Sequence, residues 1–179
     1  MVSTTQYVSP IGPLMLAADE SGIVGLWIEG QKYFGQTLPK STVENDALPL
    51  FGRAKDWLNR YFAGDKPDVS ELPLAPVGGA FRQAVWAILC EIPYGEITTY
   101  GEIARKIAAR SHRDSMSAQA VGGAVGHNPI SILIPCHRVV GTGGSLTGYA
   151  GGIQKKLRLL ELEGVDISKL SIPKKGSAL

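Results

Sequence analysis

Between Asp65 and Gly79 the chain passes through Pro67, Pro73, Pro76 and the pair Gly78-Gly79, with short extended residues between them. Prolines and glycines this close together stop a helix and interrupt a sheet ladder. The stretch therefore reads as a domain boundary. The 179 residues suffice for two small domains, each with its own core. The expected division is 1–75, then 76–168, then a flexible tail over 169–179.

The first part has strand periodicity followed by helix periodicity. Residues 4–11 and 14–18 are extended segments joined by Ser9-Pro10-Ile11-Gly12-Pro13. Ser21-Gly22 then turns the chain into the apolar, β-branched run Ile23 to Ile28, which predicts a small antiparallel meander. Gly30 to Asn45 is polar and irregular. From Leu48 to Phe62, apolar residues recur at Leu50, Phe51, Ala54, Trp57, Leu58, Tyr61 and Phe62, predicting an amphipathic helix ended by Gly64. This part has no His and no Cys, and its aromatics at helical spacing belong to a core.

The second part is more basic. Residues 1–75 carry six Lys+Arg against nine Asp+Glu, a net −3, whereas residues 76–179 carry twelve against seven, a net +5. A basic half beside an acidic one suits an anionic partner. Phe81 to Ile92 reads as a helix carrying Cys90, a thiol with no evident role. Thr99-Tyr100-Gly101-Glu102 matches a capping box, in which a hydroxyl and a carboxylate three residues on satisfy the first free amides of a helix. That helix runs from about Tyr100 to Ala109. After a polar connection, Ser117 to Gly126 forms a second, short helix made almost wholly of small residues.

Two such helices in a basic domain fit a helix-turn-helix. A major-groove reader presents long polar side chains to base edges. Here only Gln119 reaches far. Small residues suit either close packing on another helix or entry into a narrow groove without sequence readout.

His127-Asn128-Pro129 ends the second helix, and Ile130 to Ile134 predicts a buried strand leading to Pro135-Cys136-His137-Arg138-Val139. Glycine-rich loops follow at 141–145 and 148–152. The last helix, Gly152 to Glu163, places Ile153, Leu157 and Leu160 on one face and stops at Gly164. A free thiol of pKa about 8.5 is only a few per cent thiolate at neutral pH, so an adjacent imidazole is a natural proton acceptor. Neighbours on an extended segment point apart, so Cys136 and His137 can cooperate only if the chain bends, which Pro135 allows. A carboxylate must orient the histidine, and Glu161 and Glu163 are the candidates. Residues alone leave the electrophile open, and a Cys-His-Glu hydrolase fits as well.

No apolar run approaches the roughly 20 residues of a membrane span, and no secretory signal is visible. With two cysteines and no Cys-x-x-Cys, a reducing, cytoplasmic setting is expected.

Pro135-Cys136-His137-Arg138-Val139 resembles the active-site motif of the O6-alkylguanine-DNA alkyltransferases. Tyr94-Gly95-Glu96, Ala120-Val121-Gly122-Gly123-Ala124, Asn128-Pro129 and Gly148-Tyr149-Ala150-Gly151-Gly152 follow in the family's order. The resemblance implies an α+β protein. Its N-terminal domain would be a ribonuclease-H-like antiparallel sheet with helix, and its C-terminal domain mostly helical, winged-helix-like, with the helix-turn-helix. It implies irreversible transfer of an alkyl group from O6-alkylguanine, and from O4-alkylthymine, flipped out of duplex DNA, to Cys136, once per molecule. His137 would act as base through a water, oriented by Glu163. Tyr100 would donate a proton to the departing base, and Asn128 would tie the helix-turn-helix to the active site. Arg138, Val139, Tyr149, Ala150 and Gly151 would bind substrate. Ala118, Gln119, Ala120, Gly122 and Gly123 would meet the minor groove without sequence specificity.

The implied protein is a monomer with no cofactor. Some members hold a zinc through N-terminal Cys and His residues, which this chain lacks, so no metal is expected. Many members have arginine at the position of Gln119, the residue that fills the space left by the flipped base. A relative that binds lesions without repairing them would lack Cys136.

Overall fold

The computed structural model describes residues 1–173. The chain divides into two compact units: Met1–Val77 with Pro129–Leu133, and Gly78–Asn128 with Ile134 onward.

In the first unit, β1 (Ser3–Ser9), β2 (Gly12–Asp19) and β3 (Gly22–Ile28) form the expected antiparallel meander. A short β4 (Val43–Glu44) runs parallel to β1, in the stretch whose polar sequence carried no strand signal. In β3 a Cβ on Gly25 would fall 1.9 Å from the Trp27 ring. Glycine there lets the indole lie over the strand and close a cluster with Ala17 and Val24.

Helix α1 (Pro49–Phe62) buries Phe51, Ala54, Trp57, Leu58 and Tyr61 of the face that the periodicity predicts, and leaves Leu50 and Phe62 half-buried. Burying such side chains contributes roughly 1.5–3 kcal/mol each. Gly64, at φ +87°, ends the helix. Its N–H bonds the Tyr61 carbonyl and that of Asp65 bonds Arg60, both at 3.1 Å, so two otherwise orphaned carbonyls are satisfied.

The proline-rich boundary segment is more ordered than its composition suggests. Ile23 exchanges two backbone bonds with it, to the Pro73 carbonyl and from the Ala75 N–H, both 2.8 Å. The buried strand expected over Ile130 to Ile134 does not form. Only Ile130 bridges, to Leu26, and Ile132 sits at φ +70°. A β-branched residue in the left-handed region breaks any extended run. Pro129–Leu133 instead packs with the first unit, where Ser131 Oγ donates to Gln31 Oε1 (3.2 Å). All five residues from Ile130 to Ile134 are buried, so period-two alternation had nothing to report.

The second unit contains α2 (Ala80–Cys90), β5 (Thr98–Thr99), α3 (Tyr100–Arg110), α4 (Ala118–Gly126), β6 (Val139–Val140) and α5 (Ile153–Leu162). The capping box at α3 is present in both directions: Glu102 N–H donates to Thr99 Oγ1 (3.1 Å), and Thr99 N–H to Glu102 Oε2 (2.9 Å). Such a cap is worth about 1 kcal/mol. Trp86 on α2 donates its indole N–H to the Ala124 carbonyl of α4 (2.9 Å). Strands β5 and β6 pair in parallel, fixing the start of α3 against the chain that follows Cys136.

Helix α5 ends at Gly164 (φ +80°), with Val165 N–H bonded to the Leu160 carbonyl at 3.0 Å. The expectation of a flexible tail from residue 169 is corrected over its first part. Ser171 bridges Ser145, and Leu146 N–H donates to the Ser171 carbonyl (2.8 Å). Residues 174–179 of that expected tail lie outside the described residues. Among the described residues no helix is long and apolar enough to cross a membrane.

Candidate active site

Cys136, His137 and Arg138 form a single 3-10 turn rather than an extended segment. Pro135 enters it at ψ 63°, which supplies the bend that an adjacent Cys-His pair requires. All three side chains are buried; His137 is fully so and Cys136 is 5% exposed.

The orienting carboxylate is Glu163, at the C-terminus of α5, whereas Glu161 points to solvent. Glu163 is 5% exposed and saturated with donors. One oxygen, Oε2, faces His137 Nε2 in a short contact. The other, Oε1, accepts from Arg138 Nε (2.6 Å) and from the Gly95 N–H (3.1 Å). Gly95 allows this approach: it sits at φ +80°, and a Cβ there would meet the Glu163 carbonyl at 2.9 Å.

Burial alone would raise the Glu163 carboxyl, but the hydrogen bonds and charges of His137 and Arg138 hold it down at about 2. Burial lowers His137 against the opposing pull of Glu163. The carboxylate is therefore ionised and the imidazole neutral. With Nε2–H donated to Glu163, the lone pair lies on Nδ1, the nitrogen able to take a proton.

Burial raises the Cys136 thiol; a hydrogen bond with the Asn128 side chain and the charge of Lys156 act the other way. Asn128 is buried just beyond α4, and its Nδ2 also donates to the Ile134 carbonyl (2.8 Å). It thus connects the end of the second helix of the helix-turn-helix to the segment that leads into the Cys136 turn. Tyr100, at the first position of α3, donates its hydroxyl to the Thr147 carbonyl (3.0 Å). Burial and the nearby Cys136 push it up to about 12, so it stays protonated.

Other expected residues divide by location. Tyr149 is buried, its hydroxyl without a hydrogen-bond partner among the described residues and pushed up by burial and by the charge of Cys136. Ala150 and Gly151 follow it in the loop, both half-buried. Arg138, expected to bind substrate, is placed instead in the Glu163 network: Nη1 donates to the Ile92 carbonyl (2.6 Å), and the guanidinium lies 5.8 Å from the Tyr94 ring centre. Val139 is buried, with its carbonyl turned to Lys156. On α4, Ala118, Gln119, Ala120 and Gly123 are exposed, while Gly122 faces inward. Gly122 still lines an open groove with Tyr100, Ala118, Gln119, Thr142 and Thr147. Cys90 is exposed at the far end of α2.

Lys156 escaped the sequence reading. It is fully buried on α5 and donates from Nζ to the Val139 and Thr147 carbonyls. The available signal was its position: three residues after Ile153 and four before Leu160, a lysine inside the apolar stripe.

Fold and site together define a protein that presents a buried cysteine, next to a buried histidine–carboxylate pair, beside a helix-turn-helix. Two family models match, described as the 6-O-methylguanine DNA methyltransferase ribonuclease-like domain, over residues 2–76, and the DNA binding domain of the same family, over residues 80–165. A methylated-DNA–protein-cysteine methyltransferase of Haemophilus influenzae is 44% identical, covering 90% of this chain and 86% of that protein. One of Methanosarcina acetivorans is 45% identical over 88% and 96%. Among solved structures, Mycobacterium tuberculosis OGT in complex with DNA is 43% identical, covers 94% of each chain and superposes with a TM-score of 0.78. The chain belongs to the 6-O-methylguanine DNA methyltransferase family.

Proposed function

We propose that this chain repairs alkylated DNA by moving an alkyl group from O6 of guanine onto Cys136. The observation that carries the reading is the Cys136–His137–Glu163 arrangement, buried in the unit that also holds the helix-turn-helix. The thiol proton passes to His137 Nδ1, directly or through a water, and Glu163 stabilises the imidazolium. The thiolate attacks the alkyl carbon on the side opposite O6. The S–C bond forms, the O6–C bond breaks, and its electron pair goes to the purine. The Tyr100 hydroxyl, held protonated, leaves the Thr147 carbonyl and donates toward N3, making guanine a better leaving group. The product thioether has no leaving route, so each molecule acts once.

The reacting carbon is inaccessible inside a duplex, and extruding the nucleotide costs a few kcal/mol. The exposed face of α4 suits that task. Ala118, Ala120 and Gly123 let the backbone approach a minor groove without reading sequence, and Gln119 fills the space left by the flipped base. The flipped base enters beside Val139, Tyr149, Ala150 and Gly151. A monomer suffices, since every residue named belongs to one chain. An acceptor thiol must stay reduced, which favours the cytoplasm.

The test is intact-protein mass after incubation with duplex DNA bearing O6-methylguanine. The reading predicts a gain of one methyl group, absent in Cys136→Ser. Tight binding with no mass change would instead make the chain a lesion-binding protein, and catalytic turnover would make it a hydrolase.

A further inference from the structure

Lys156 is the one fully buried cation of the second unit with no carboxylate against it among the described residues. Glu163 is the only buried carboxylate described, and it is committed to His137 and Arg138. An ammonium kept from water with only two carbonyl acceptors is expensive, and a methionine would fill the same space without that cost. A negative charge must therefore appear nearby for the lysine to be worth keeping. Cys136 is the ionisable group whose charge acts on Lys156. One turn of backbone connects them: Val139 N–H donates to the Cys136 carbonyl, and the Val139 carbonyl accepts from Lys156 Nζ.

We propose that Lys156 is a positioning residue for the transfer reaction, supplying the positive charge that stabilises the Cys136 thiolate while holding the Thr147 carbonyl. The second role follows from a shared acceptor. Tyr100 Oη and Lys156 Nζ both donate to the Thr147 carbonyl, at 3.0 and 3.1 Å. When Tyr100 turns to the substrate, Lys156 keeps that carbonyl satisfied, so the loop need not follow the phenol. Burial lowers Lys156 to about 8, and the charge on Cys136 raises it. The other ionisable groups around the thiol are Tyr100 from α3, His137 and Arg138 of its own turn, Tyr149 of the next loop and Glu163 of α5. Of these only His137 and Arg138 can be cationic, and both face Glu163.

The inference rests on Cys136 being the acceptor, but its test reads the thiol without DNA, so the two can fail separately. In a Cys90→Ser background, the rate of Cys136 alkylation by iodoacetamide is followed from acid to alkaline pH. Removing the charge with Lys156→Gln or Lys156→Met should move the midpoint upward and slow the reaction at neutral pH by about tenfold or more, the usual effect of one close charge. Lys156→Arg should restore the wild-type midpoint. Methyl transfer from O6-methylguanine DNA should fall in parallel at unchanged DNA affinity. A lower melting temperature with an unshifted midpoint in Lys156→Gln would reduce the lysine to a structural tie and overturn the proposal. Nitrogen NMR of the wild-type lysine provides an arm that needs no variant, because coupling between two sites is reciprocal. The Lys156 Nζ titration should move to lower pH once Cys136 is S-alkylated; an identical titration in both forms also overturns it.

Discussion

Glu163→Gln removes a charge while keeping the side chain's shape. In the folded chain this carboxyl is held at about 2, against an ordinary value of 4.5. Each pKa unit corresponds to 1.36 kcal/mol, so ionised Glu163 contributes on the order of 3 kcal/mol of stability at neutral pH. Its folded value is depressed, so that contribution is complete above about pH 4.5 and is lost as pH falls toward about 2. The amide also leaves Arg138 buried without its counter-charge. Breaking a buried pair this way costs roughly 3–5 kcal/mol, the same scale reached independently.

The assay is urea unfolding of wild type and Glu163→Gln at several pH values between neutral and about 2.5. Other carboxyls titrate in that window, among them Asp46, Asp68, Glu71 and Asp166, all at the surface. They are common to both proteins and cancel in the difference. The difference should be about 3 kcal/mol at neutral pH and should shrink toward acid. Equal stability at neutral pH, or a difference independent of pH, would refute the assignment of Glu163 as an ionised, charge-paired group.

Other outcomes follow from the same geometry. Tyr100→Phe should slow methyl transfer by about 10²-fold or more, the scale of general acid catalysis, while leaving stability nearly unchanged because Lys156 still holds Thr147; single-turnover rates and melting curves check both. S-methylation of Cys136 adds a methyl group in a site only 5% exposed, so the alkylated protein should be about 1–3 kcal/mol less stable, read as a lower melting temperature after reaction. Gln119→Arg should tighten DNA binding and speed repair, since a longer, charged side chain holds the flipped state better; unchanged affinity and rate would contradict the place given to Gln119.

Where local rules governed the backbone, the sequence was readable. The capping box at Thr99 and Glu102, the glycine stops at Gly64 and Gly164 and the aromatic face of α1 each follow from chemistry within a few residues. Where tertiary context decided, it was not. Val43 and Glu44 are exposed and polar in setting, and pair with β1 only because the fold brings them there. Ile130 to Ile134 is buried throughout, Ser131 included, so its pattern could not distinguish a strand from the irregular path it takes, with Ile132 in the left-handed region. At the site, Cys136, His137 and the choice between Glu161 and Glu163 could be set out in advance. The anchoring of Arg138 to Ile92 and Glu163 could not, because it depends on elements distant in sequence meeting at one carboxylate. Lys156 is illegible for a different reason: a charged residue on an amphipathic helix is normally solvated, and only the structure shows it buried.

Stoichiometry tests the central claim most directly. Duplex DNA carrying isotopically labelled O6-methylguanine is titrated into the full chain, and the label is mapped to peptides once repair stops. The account predicts that repair ceases at one methyl per chain, all of it on Cys136 and none on the exposed Cys90. Repair of several lesions by one molecule, or label on any other residue, would contradict it.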